Sequence, residues 1–300
     1  MKGNKFQLVS QLMRGSWLID PGYAAEMLPL VAKFISGEPV SFYDDDENQD
    51  EISAGFFMAQ DPSGRLVKME NVSESDIPPG SIAVFQQRGA VMKETFCGIP
   101  GTADMRSQFL EAMASPKISG AVVVADSPGG AVNGTFELNQ TIFESEKPVI
   151  GFVDGLAASA AYLILSGCSE IHASSSSAMI GSIGVLITLR DYTERLKELG
   201  IKEITITANT SPEKNLAVIE ALAGEPGKLQ AELDAVHALF KDAVKRTRSE
   251  ISDDALRGSV YLADEALKMD LIDSIQSFER TVERALELGD IMQKNPKIYV

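Results

Sequence analysis

The chain reads as an α/β protein with a mostly parallel sheet, and three observations lead there. Gly120-Ala-Val-Val-Val-Ala125 and Pro148-Val-Ile-Gly-Phe-Val153 are apolar runs, the pattern of strands covered on both faces. Each is followed by a segment with helical spacing, and strands alternating with helices require βαβ crossovers. The 300 residues, 44% hydrophobic, are enough for one large domain with an appendage.

Taken in order, residues 1–77 read as an N-terminal extension. It holds Trp17-Leu-Ile-Asp-Pro21, an amphipathic helix over 24–36, and the run Asp44-Asp-Asp-Glu-Asn-Gln-Asp-Glu51. Six acids in those eight positions predict a solvated, mobile loop. Asp76-Ile-Pro-Pro-Gly80 reads as a linker, and a compact domain is expected over 78–275. Within it the pattern predicts strands at 82–85, 120–125, 148–153, 180–187 and 203–207. Helices are predicted at 103–114, 135–144, 191–199, 228–248 and 263–268. Residues 276–300 read as a C-terminal helical tail.

Charge and composition exclude some classes. A net charge of −16 argues against a nucleic-acid groove, because a phosphate backbone would be repelled. Cys97 and Cys168 are too few and too far apart for a disulfide framework or zinc knuckle. Buried, reduced thiols and a reducing compartment fit them better. The N-terminus lacks the apolar run of a signal peptide, and no membrane-spanning stretch is visible. The expected location is the cytoplasm, with no membrane anchor, no metal and no cofactor.

Chemistry concentrates in two turns. Asp126-Ser-Pro-Gly-Gly130 lies where a buried strand gives way to a helix. Its glycines suit either a tight turn or an amide nest for an oxyanion. In Gly155-Leu-Ala-Ala-Ser-Ala-Ala-Tyr162, small residues open a helix with Ser159 in its first turn. A helix start favours developing negative charge, although Ser159 would also suit simple close packing. Activation of a serine needs a base. The two histidines, His172 and His237, have no evident Asp partner, so both read as structural, with His172 kept open. A neutral lysine is the other solution. Lowering a lysine from about 10.4 to about 7–8 costs roughly 3–4 kcal/mol of charge stabilisation, so the base belongs on a turn folded into the site. Lys214, in Ala208-Asn-Thr-Ser-Pro-Glu-Lys-Asn215, is better placed than Lys197 or Lys202. A surface position is its plain alternative.

Together these blocks resemble the signal peptide peptidase A-like family of Ser–Lys serine peptidases, on the Clp protease/crotonase superfold. The likeness runs from about Ser81 to Asp273. It includes Asp126-Ser-Pro-Gly-Gly130, Gly155 to Tyr162, Gly181-Ser-Ile-Gly-Val185 and Ala263-Asp-Glu-Ala-Leu-Lys-Met-Asp-Leu-Ile-Asp273. It implies a spiral of βαβ units, Ser159 as nucleophile and a downstream lysine base. It further implies an oxyanion hole from the backbone amides of Gly130 and Ala160, with Ser182 orienting the lysine or relaying its proton. Gly129, Ala131 and Ile183 would line the substrate, whose backbone would add as a strand. Two departures stand out: Thr210-Ser-Pro-Glu-Lys214 lacks the family's glycine-containing turn, and Asp270 replaces a glycine in the terminal block.

The Trp17-Leu-Ile-Asp-Pro21 region and the missing anchor resemble the phage or prophage head-maturation members. That likeness implies a polypeptide substrate of scaffold or portal type, a host-cytoplasm or procapsid location, and a homo-oligomeric ring. Three rival readings remain at this point. They are a cytoplasmic peptidase degrading signal peptides or other peptides, a coenzyme-A thioester enzyme on the same fold, and an inactive structural protein.

Overall fold

The computed structural model describes residues 17–19, 55–61, 63–95, 100–202 and 204–294. The helix expected over 24–36, the acidic run 44–51 and Cys97 lie outside these residues.

The described chain forms a mixed α/β structure on a nine-stranded sheet. Its strands are β2 (Gly55–Gln60), β3 (Leu66–Met69), β4 (Ser81–Arg88), β5 (Ile118–Ser127), β7 (Val149–Ala158), β8 (Glu170–Ala173), β9 (Met179–Gly181), β10 (Val260–Leu262) and β11 (Ser274–Ile275). A separate two-stranded pair joins β1 (Trp17–Ile19) to β6 (Gly129–Ala131). Pairing of β4 with β5, β5 with β7, β7 with β8 and β9, and β8 with β11 is parallel. Only β2, β3 and β10 run antiparallel to their neighbours in this sheet. The mostly parallel α/β fold expected from the two apolar runs is therefore observed.

Both runs are covered on both faces, as their composition requires. Ala83, Phe85, Ala121, Val123 and Ala125 face one core. There they meet Met105 and Phe109 of α1 (Thr102–Ala114), Leu138 and Ile142 of α2 (Thr135–Phe143), and the wholly buried α3 (Ala160–Leu165). The alternate residues Ile82, Val84, Val122 and Val124 face a second core. Val282, Ala285 and Leu288 of α8 (Phe278–Lys294) close it. The alternation is the period-two geometry of a strand. Sheet and helix thus continue past both expected boundaries: β2 pairs with β4, and α8 lies on β5.

The remaining helices are α4 (Thr193–Glu198), α5 (Leu216–Leu222), α6 (Gly227–Lys245) and α7 (Ala263–Lys268). Two predicted strands are corrected. The strand expected over 180–187 stops at Gly181, because Ser182 turns the chain with φ 52° and donates its N–H to the Ser259 carbonyl at 2.7 Å. The strand expected over 203–207 is absent among its described residues. Ile204 and Ile206, 72% and 89% exposed, have the strand period but pair with no strand among the described residues.

The terminal block has a structural task. Asp273 accepts the Ile171 N–H at 2.6 Å and the Arg248 guanidinium at 2.7 Å. It thereby ties the end of α7 to β8. Tyr162, fully buried in α3, donates its hydroxyl to the Leu271 carbonyl at 2.8 Å.

Candidate active site

The two glycine-and-serine turns leave the carboxyl ends of neighbouring parallel strands. Ser127, at the end of β5, pairs with Ala157 near the end of β7. Gly129-Gly130 follows the first strand, and Ser159 follows the second. In open α/β sheets ligands bind at this end of the strands.

Ser159 sits between β7 and α3 with φ 55° and ψ −115°, a backbone conformation disfavoured for a residue with a Cβ. Such a turn presents the side chain at the top of a sheet, the geometry of a nucleophile elbow. Its N–H donates to the Gly181 carbonyl at 2.8 Å, and its Oγ donates to the Gly184 carbonyl at a long 3.4 Å. The N–H of Ser159 is therefore committed to β9. Ala160, the first residue of α3, has no carbonyl one turn earlier in the helix to bond.

Gly130 has a close neighbour. A Cβ built there would lie 2.0 Å from the Val91 carbonyl oxygen, so no larger residue fits. β6 also packs on α3, which brings the Gly130 strand beside the Ser159 turn. Gly129 and Ala131 flank it on the same strand.

Ser182 and Ile183 lie on the loop after β9, both buried. His237 Nε2 lies 3.1 Å from the carbonyl oxygens of Ile183 and Leu256, so this ring nitrogen donates to a loop of the site. Nothing in the sequence pattern marked that contact, because it joins α6 to a loop 54 residues away. His172 is held elsewhere. Its Nδ1 faces Thr281 Oγ1 at 3.1 Å and Gln276 Nε2 at 2.7 Å, and its Nε2 faces Glu170 at 3.2 Å. His172 thus has its partners away from Ser159, whereas His237 bonds to the loop that Ser159 touches.

Lys214 is exposed, on the turn leading into α5, and makes no side-chain hydrogen bond or ion pair among the described residues. The folded chain brings Ser159 against the loop of Ser182 and Ile183, and the strand of Gly130 packs on the helix that Ala160 opens. The chain does not enclose Lys214 within that group. The stretch on either side of this lysine, residues 199–219, carries exposed apolar side chains at Leu199, Ile201, Ile204, Ile206 and Ile219. No His, Cys, Asp or Glu cluster among the described residues could hold a metal. No described helix is long and apolar enough to cross a membrane.

A profile of peptidase family S49 matches residues 141–292, half of the chain and the part that holds the Ser159 turn. The chain belongs to peptidase family S49. Within reach of it are Protease 4 of Salmonella typhi, 30% identical over 73% of this chain and 36% of that protein. The Head-tail preconnector protein GP5 of Enterobacteria phage P21 is 30% identical over 55% of this chain and 33% of its own length. Capsid assembly protease C of Escherichia phage lambda is 26% identical over 65% of this chain and 46% of its own. The S49 chain therefore spans between a third and a half of the length of these relatives. Among solved structures, the 1510-N membrane-bound stomatin-specific protease is similar with a TM-score of 0.45 and 17% identity, over 67% of this chain and 82% of that one.

Proposed function

We propose that this S49 chain is a serine endopeptidase working by acyl transfer, with Ser159 as nucleophile and Lys214 as general base. The observation that carries the reading is the positive-φ turn at Ser159, at the carboxyl end of β7 and facing the loop of Ser182. The Ser159 Oγ attacks the scissile carbonyl while its proton passes to the neutral lysine amine, with Ser182 as relay or orienting group. The resulting oxyanion rests on the backbone N–H groups of Gly130 and Ala160. Collapse expels the amine of the leaving peptide, which takes the proton back from the lysine. Water then hydrolyses the acyl-enzyme by the same route. Gly129, Ala131 and Ile183 hold the substrate backbone.

Lys214 acts from a neighbouring copy of the chain. Its exposure and the uncovered isoleucines of the adjoining chain, Ile201, Ile204, Ile206 and Ile219, support assembly into a homo-oligomer whose contact buries this segment. Burial there also supplies the desolvation that a lysine base needs. The capsid-assembly relatives favour a polypeptide substrate of scaffold or portal type from a phage or prophage, met in the host cytoplasm or the procapsid.

Co-expression with the neighbouring capsid genes tests the reading. The wild type is expected to cut a capsid-assembly protein, and Ser159→Ala and Lys214→Ala are each expected to abolish the cut. Full cleavage by Ser159→Ala would sink the assignment.

A further inference from the structure

The outer edge of β6 is already paired. Val91 donates its N–H to the Gly129 carbonyl, and Ala131 donates its N–H to the Val91 carbonyl, both at 2.8 Å. Those groups are spent on one side of the strand. Alternation along an extended strand then turns the N–H and carbonyl of Gly130 to the other side. On that side Trp17–Ile19 runs antiparallel, with Leu18 opposite Gly130, Trp17 opposite Ala131 and Ile19 opposite Gly129.

We propose that Trp17–Ile19 is a built-in stand-in for substrate, occupying the peptide-binding edge of β6 and holding the site closed until it is displaced. The inference rests on the reading of Ser159 and Gly130 given above. An N–H that donates to a strand partner is not free to receive an oxyanion, and a second peptide cannot add to an edge that is taken. The pair is built to come apart. Among the described residues β1 bonds only to β6, outside the large sheet, and two three-residue strands are marginal by themselves. The near-complete burial of Ser159, 1% exposed, agrees with a closed state.

A tethered strand competes at an effective concentration on the order of 1 mM, so a strand whose own Kd for the edge is about 0.1 mM slows cleavage at low substrate about tenfold. Leu18→Pro in the full chain removes the N–H opposite Gly130 and leaves Ser159 and Lys214 untouched. We expect it to cleave a fluorescent casein about tenfold faster than the wild type, and the double variant Leu18→Pro/Ser159→Ala to be silent. Equal Ser159-dependent rates in wild type and Leu18→Pro overturn this inference and leave the peptidase reading intact. No Ser159-dependent cleavage in either overturns both. Should Leu18→Pro fail to fold, amide exchange on the wild type decides. Joint protection of Leu18 and Gly130, lost on adding excess casein-derived peptide, supports the closed state. Free exchange at Gly130, or protection that the peptide does not relieve, overturns it.

Discussion

Ser159 hangs its backbone on Gly181, donating its N–H to that carbonyl at 2.8 Å. The contact fixes the strained turn against β9 and withdraws one amide from the oxyanion site. Gly181 in turn has φ 127°, and a Cβ there would lie 2.6 Å from the Ser259 carbonyl oxygen. That oxygen also accepts the Ser182 N–H, so Gly181 anchors the Ser159 turn and Ser259 the Ser182 turn beside it.

Gly181→Ala is therefore expected to damage stability and activity together. The clash and the left-handed backbone should cost about 2 kcal/mol or more, lowering Tm by roughly 4 °C or more. Casein cleavage should fall more than tenfold. A melt and an assay both matching wild type would show that Ser159 does not depend on this anchor.

Subunit complementation tests where the lysine acts. Ser159→Ala and Lys214→Ala, each inactive alone, should recover about one quarter of wild-type activity when unfolded and refolded together in equal amounts, because a random ring pairs an intact Ser159 with a neighbour's intact Lys214 in one contact of four. A mixture that stays inactive would place both groups in one chain.

Glu170 gives the fold an acid-sensitive point. Its carboxylate accepts from His172 and from the Arg284 guanidinium, at 2.7 Å for the shortest contact. The His172 hydrogen bond first, and then that of Arg284, holds it down from 4.5 to about 2, against the opposing effect of burial. A depressed carboxyl contributes stability above its unfolded value of about 4.5, and that contribution disappears as pH falls toward about 2. With 23% of the side chain exposed, Glu170→Gln should cost about 2 kcal/mol at pH 7. Urea unfolding should give a smaller difference between variant and wild type at pH 3 than at pH 7. An equal difference at both would contradict the assignment.

Asp270 occupies a position made for glycine. It follows α7 with φ 62°, and Leu271 donates its N–H to the Ala266 carbonyl at 2.9 Å, a helix end closed by a left-handed residue. Asp270→Gly should stabilise the protein by up to about 1 kcal/mol. A fall in Tm would mean that the aspartate side chain has a task of its own there.

The departures from the family pattern illustrate what the sequence could carry. Asp270 was visible as a replaced glycine, and its backbone still takes the glycine conformation, since aspartate tolerates that region better than most residues. The apolar runs at 120–125 and 148–153 announced buried parallel strands because both faces of each must leave water. By contrast, Ile204 and Ile206 had the spacing of a strand and form none, because a strand needs a partner that local sequence cannot supply.

The amino-acid order by itself determined the α/β architecture and the small residues around Ser159, since these follow from side-chain period and size over short distances. The helix expected to hold Ser159 in its first turn instead begins at Ala160, because β7 runs on to Ala158 and leaves Ser159 at the turn between them. Tertiary structure alone decided that Ser159 and Gly130 leave adjacent strands, that His237 braces the Ile183 loop, that Lys214 stands exposed, and that Leu18 pairs with Gly130. Each of those depends on hydrogen bonds or burial between segments far apart in the chain, and such partners are chosen by the packing of the whole sheet.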